Sequence, residues 1–124
     1  MSTLQISTKD STLTTYYTNL FDNKTVNKFD LLFPVDTIIN PPSTFADVNT
    51  MVTLTYSPTV SGIITPVYYS PQKPYTPEVV QLTPNSITDP VLHIVNQSNV
   101  INYYKKGMTC ATVTLNETVT ITVV

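Results

Sequence analysis

The last fourteen residues, Ala111–Val124, alternate almost without fault between apolar and polar side chains. Ala111, Val113, Leu115, Val119, Ile121 and Val123 fall on one parity; five threonines and Asn116 fall on the other. A period of two belongs to extended backbone with one buried and one wet face. Threonine is β-branched, so the wet side also favours the strand. No window elsewhere combines helical apolar spacing with good helix formers, so the expected class is all-β.

Register narrows how this segment closes. With a three-residue loop between Leu115 and Val119, Val113 faces Ile121 and Ala111 faces Val123. A two-residue loop sets Leu115 against Thr118 and brings the faces into conflict. The expected structure is therefore a three-residue hairpin. The alternative is one long strand with Glu117 pushed out at a bulge.

All ten prolines lie between Pro34 and Pro90, which divides the chain into three parts. Residues 1–33 carry short extended candidates at Thr3–Ser7, Leu13–Thr18 and Val26–Phe33. In the last of these Phe29, Leu31 and Phe33 share one face. The middle part offers Val48–Tyr56, Ile63–Tyr69 and Val79–Thr83, with Pro66 demoting the second to an edge or bulged strand. The last part offers Val91–Val95, Val100–Tyr104, Met108–Leu115 and Thr118–Val124. Only two glycines are present, so tight primed hairpin turns are scarce and longer loops are expected. Closely spaced strands of this kind predict one antiparallel β-sandwich over residues 1–124, or a small barrel. Residues 1–33 are either peripheral strands or an extended arm.

Charged residues make up only 11% of the chain, there is no arginine, and the net charge is −2. The surface is expected to be neutral and hydrogen-bonding, with little repulsion between copies. Without clustered cations, nucleic-acid and membrane-surface binding are not expected. Cys110 is the sole cysteine; an intrachain disulfide is impossible, and a small buried hydrophobe is the ordinary role. The amino terminus has neither the basic nor the apolar region of a signal peptide, and no stretch is long enough for a membrane helix.

Catalytic groups are sparse. His93 is the only histidine, and Asp89 lies four residues away, about 13 Å along a strand. A triad would need a turn at Pro90 to join them. The carboxylates show no paired spacing, two glycines make no phosphate loop, and His93 with Cys110 shows no metal-ligand spacing. An enzyme, a cofactor and a metal are not expected. Three Asn-x-Ser/Thr triplets, at Asn23, Asn96 and Asn116, match the number expected by chance in so Ser- and Thr-rich a chain. Pro71-Gln-Lys-Pro-Tyr-Thr-Pro77 has the period of polyproline II and is expected to be a stiff connector.

Tyrosine carries more information. Doublets occur at Tyr16-Tyr17, Tyr68-Tyr69 and Tyr103-Tyr104, and Tyr75 stands within the proline run. On a strand, one member of each doublet faces inward and the other is displayed. Displayed tyrosines are effective interface anchors, because they bring large area at small entropy cost. These seven residues are the candidate interface.

The span from Lys105 to Val124, with a Gly107 turn followed by Cys110–Leu115 and Thr118–Val124, resembles the closing strands of immunoglobulin-like β-sandwich modules. The Trp and cysteine pair of antibody-type cores are absent. Such modules are frequent in virion accessory proteins (capsid decoration, head-fibre and tail components) and in surface adhesins. The resemblance implies a virion component made in a host cytoplasm, assembling with the major capsid protein or with neighbouring copies as a homo-oligomer. The alternatives are a glycan-binding or adhesive module at a cell surface, and a fibre subunit whose C-terminal strand completes a neighbour's sheet.

Overall fold

A computed structural model describes residues 2–41, 44–67, 78–84, 87–96 and 98–124. In chain order the elements are β1 (Thr3–Thr8), α1 (Ser11–Phe21), β2 (Thr25–Leu32), β3 (Thr37–Ile39), β4 (Thr44–Asn49) and β5 (Val52–Tyr56). They continue with β6 (Gly62–Pro66), β7 (Val80–Leu82), β8 (Ile87–Thr88), β9 (Val91–Asn96), β10 (Asn102–Tyr104) and β11 (Thr109–Val123). The fold is mostly β, as expected.

The alternating C-terminal segment is one strand, not a hairpin. Its register with β2 shifts between Thr114 and Val119, and the break holds Asn116 and Glu117. Both are tied down locally. The Ser2 hydroxyl donates to the Glu117 carboxylate. Asn116 Oδ1 accepts the Ser61 N–H at 2.9 Å, and its Nδ2 donates to the Thr59 carbonyl at 3.0 Å. These bonds hold Asn116 against Thr59 and Ser61 and Glu117 against Ser2, so the strand bends and continues where a hairpin would turn back. The inward parity survives the bend: Val113, Val119 and Ile121 are fully buried.

The first half of β11 pairs with β6, and its second half pairs with β1, while β2 runs antiparallel beside both halves. The principal sheet therefore orders as β7-β6-β11-β1-β5-β8, with β2 attached to β11. It curls into a nearly closed, barrel-like form. The β1–β11 pairing is parallel, which corrects the expectation of a purely antiparallel sheet. Two-stranded ribbons, β3–β10 and β4–β9, complete the described strands.

Thr3–Thr8 lies inside the sheet between β5 and β11, with Leu4 and Ile6 buried. It is neither an arm nor a peripheral strand. The extended candidate at Leu13–Thr18 is a helix. Its N-cap is Asp10, whose Oδ1 accepts the N–H groups of Thr12 and Leu13 at 2.9 and 3.1 Å. Thr14, Thr15 and Thr18 hydroxyls each bond a carbonyl four residues back. Threonine is a poor helix former, but a good cap and a buried Leu13–Tyr17 stripe outweigh propensity here.

The Val48–Tyr56 candidate divides into β4 and β5, which belong to different sheets. The break is at Thr50 and Met51. Thr50 is buried, and both its N–H and its hydroxyl bond the Pro90 carbonyl; Met51 has a left-handed φ of 60°. Gly62 allows β6 to approach β11 closely, since a Cβ there would stand 2.2 Å from the Thr114 carbonyl oxygen.

Candidate functional site

The two tyrosine doublets among the described residues each turn one ring inward and one outward, though Tyr16-Tyr17 does so for a reason other than strand alternation. Tyr16 and Tyr17 sit on α1, where successive residues are about 100° apart around the axis. Tyr17 is fully buried, and its hydroxyl accepts the Leu32 N–H at 2.8 Å. Burial pushes its phenol pKa well above the usual value. Tyr16 faces outward and, with Leu20, Leu32 and Met108, lines an open, largely apolar groove of about 380 Å³. The groove floor includes Gly107, whose φ of 92° turns the chain beneath the Tyr16 ring. Tyr68, Tyr69 and Tyr75, with the Pro71–Pro77 run, lie outside the described residues.

Tyr103 and Tyr104 lie on β10. Tyr104 stacks on Phe33 with ring centroids 4.5 Å apart and planes 18° apart, and burial raises its pKa. Tyr103 is 65% exposed and stands directly across the β3–β10 ribbon from Ile38, itself 60% exposed. Two large side chains facing each other across paired strands form a short apolar ridge. Val100 and Ile101, also exposed, immediately precede β10. Their loop is held by Asn96, which is buried and donates from Nδ2 to the Ile39 and Val100 carbonyls at 2.9 and 2.8 Å. Ser98 donates to the Asn96 side-chain oxygen through both its N–H and its hydroxyl. The network fixes the loop that leads into the ridge.

A second surface lies on the β4–β9 ribbon. Register places Phe45 opposite Val95, Asp47 opposite His93, and Asn49 opposite Val91. His93 Nδ1 lies 3.0 Å from Asp47 Oδ1, and the Phe45 ring packs on the imidazole with centroids 4.3 Å apart. Asp89, the sequence neighbour of His93, is instead bonded by the Thr53 hydroxyl at 2.6 Å. His93 thus faces a polar neighbour across the ribbon, and the two carboxylates do not converge on it. Phe45 remains 56% exposed, so this face offers an apolar ring beside two hydrogen-bonding side chains. Only register reveals it, because Phe45 and His93 belong to segments far apart in sequence.

Cys110 is fully buried, and burial pushes its thiol pKa up to about 12. The thiolate needed for nucleophilic or metal chemistry is suppressed there. Among the described residues no three His, Cys, Asp or Glu side chains gather as a metal site. None of the described helices is long and apolar enough to cross a membrane. The surface features among the described residues are an apolar ridge, an apolar groove and an aromatic face. No protein-family model matches this chain, and no curated protein matches it in sequence.

Proposed function

We propose that this protein is a non-enzymatic structural component of a virus particle, a capsid decoration or other auxiliary subunit that works by protein–protein assembly. The observation that carries the reading is the Ile38–Tyr103 ridge, two large apolar side chains opposed and mostly exposed. It stands on a chain with only 11% charged residues, where little electrostatic repulsion opposes close packing. Tyrosine flanked by aliphatic side chains is the composition of an interface centre. On this reading the partners are the major capsid protein or neighbouring copies, the location is the virion, and nucleic acid and membrane take no part. We further propose that the two halves of the bent sheet act as facing layers of an Ig-like or jelly-roll-like sandwich, with β11 passing between them.

The test is incorporation. Purified particles should contain the protein, and Ile38→Ser with Tyr103→Ser should lower its occupancy while leaving the isolated protein folded. A protein missing from particles and indifferent to these substitutions would overturn the reading.

Phe45 supports a second reading, a glycan-binding or adhesive module at a cell surface. Its exposed ring offers a stacking platform for the C–H face of a sugar, and Asp47, His93 and Asn49 offer hydrogen bonds beside it. A glycan array with Phe45→Ala as control decides that case; absence of any Phe45-dependent signal rejects it. The fibre reading with a donated C-terminal strand has less support, because Val119 and Ile121 are buried in their own chain's sheet.

A further inference from the structure

The longest open edge among the described strands belongs to β2. Its inner side pairs with β11, and its outer side pairs with no other described strand. The direction of its amides follows from two bonds. Phe33 N–H donates to the Met108 carbonyl on the β11 side, at 2.7 Å. Leu32 N–H points the other way and is taken by the Tyr17 hydroxyl. Amide direction alternates along a strand, so the N–H and C=O groups of Lys28 and Asp30 also point outward. No hydrogen bond within the described residues uses the N–H of either. Helix α1 closes this edge at Leu32, and no other described element closes it at its centre.

An edge left open is a template for another strand, and side-chain charge decides which strand it accepts. Lys28 is exposed and Asp30 half-buried, and neither takes part in an ion pair among the described residues. Both share the outer face of the sheet, two residues apart. We infer that the β2 edge pairs with the β2 edge of a second copy, antiparallel about a two-fold axis through Phe29, with Lys28 of each copy opposite Asp30 of the other.

The register is selected by charge. A two-fold through Phe29 matches outward amides with outward amides and forms two opposite-charge pairs. Moving the axis to Lys28 sets lysine against lysine; moving it to Asp30 sets aspartate against aspartate. A shift that matches outward with inward amides forms no ladder at all. Charges on an edge usually repel a second strand; this spacing turns that repulsion into attraction in one register only. The other open edges lack the device. β4 offers Asp47 and β9 offers His93, and these two already face each other within the ribbon. The self-complementary patch is what an isologous two-fold interface requires.

The inference deepens the assembly reading and rests on it, but uses a surface other than the Ile38–Tyr103 ridge. Sedimentation velocity of the full chain over a concentration series tests it. The wild type should dimerise reversibly and more weakly as salt rises. Lys28→Glu alone and Asp30→Lys alone should each weaken self-association by roughly tenfold or more, since both attractive pairs become repulsive. Mixing the two variants should restore association, because each new glutamate then meets a new lysine and each remaining Asp30 meets a remaining Lys28. Amide exchange on the wild type adds a reading free of substitution. Protection at Lys28 and Asp30 should rise with concentration, while Leu32 stays protected throughout. A strictly monomeric wild type, variants that associate as the wild type does, or a mixture that stays monomeric would each overturn the inference. If the free chain is monomeric while particle occupancy still depends on Tyr103, the edge pairing fails and the assembly reading stands.

Discussion

The hydroxyl of Tyr17 accepts the backbone N–H of Leu32 at 2.8 Å, with both residues buried between α1 and the edge of β2. A helix side chain thereby satisfies an amide that the sheet leaves over. Tyr17→Phe keeps the ring and its packing near Phe21 but strands that amide. Leaving a buried donor unpaired costs about 1–3 kcal/mol. Urea unfolding of the variant should show a loss in this range with an unchanged denaturant slope; a change near zero would show that water replaces the hydroxyl.

Lys106 Nζ lies 2.9 Å from Asp10 Oδ2, and this hydrogen bond, with those from Leu13 and Thr12, holds the Asp10 carboxyl below its usual 3.8. The folded state therefore binds its proton less readily than the unfolded chain does. The resulting stabilisation is fully present above the ordinary carboxylate range and is lost as pH falls through and below it. Acid unfolding curves should show a shallower loss in Lys106→Met than in the wild type. Identical acid limbs would remove Asp10 from the account.

Gly62→Ala places a methyl where the Thr114 carbonyl oxygen would be 2.2 Å away. The obstacle is backbone, so β6 and β11 must separate. We expect a destabilisation of roughly 1–3 kcal/mol or more, typical of overpacking. Thermal unfolding measures it directly. A variant as stable as the wild type would mean that β6 shifts without cost.

Cys110 should be silent toward thiol reagents at pH 8 in the folded protein and reactive once unfolded. Burial both blocks access and keeps the thiol protonated, with its pKa near 12. Labelling with a maleimide against urea concentration should track the unfolding transition. Rapid labelling in buffer alone would show that the first half of β11 opens locally.

Much of the strand content was legible because it rests on local alternation. Phe29, Leu31 and Phe33 share a buried face as their parity indicates, and the inward set of β11 is the one the sequence marks. Alternation is blind to the identity of the neighbour, which is why the parallel β1–β11 pairing was not visible. It is equally blind to a bend: the choice between hairpin and bulge depended on Asn116 and Glu117 finding partners in Ser61, Thr59 and Ser2, contacts remote in sequence. The helix is hard to see in the sequence because Thr12, Thr14, Thr15 and Thr18 favour strand. Its signals, Asp10 ahead of an apolar Leu13–Tyr17 spacing, were present but weak without knowing that this face would be buried. Of the candidate surface, doublet logic displays one of Tyr103 and Tyr104 without choosing between them; that the exposed ring is Tyr103, and that it opposes Ile38, required the fold.

The parallel pairing of Thr3–Ile6 with Thr120–Val123 also governs when the molecule takes shape. The middle of the principal sheet joins two segments far apart in sequence, so no growing polypeptide can complete it before Thr120–Val123 has been made. Ordering so distant a pair sacrifices much chain freedom before any ladder rewards it. Folding should therefore be comparatively slow, with Leu4 and Ile6 waiting on the nascent chain for their β11 neighbours long after β5 is available to them.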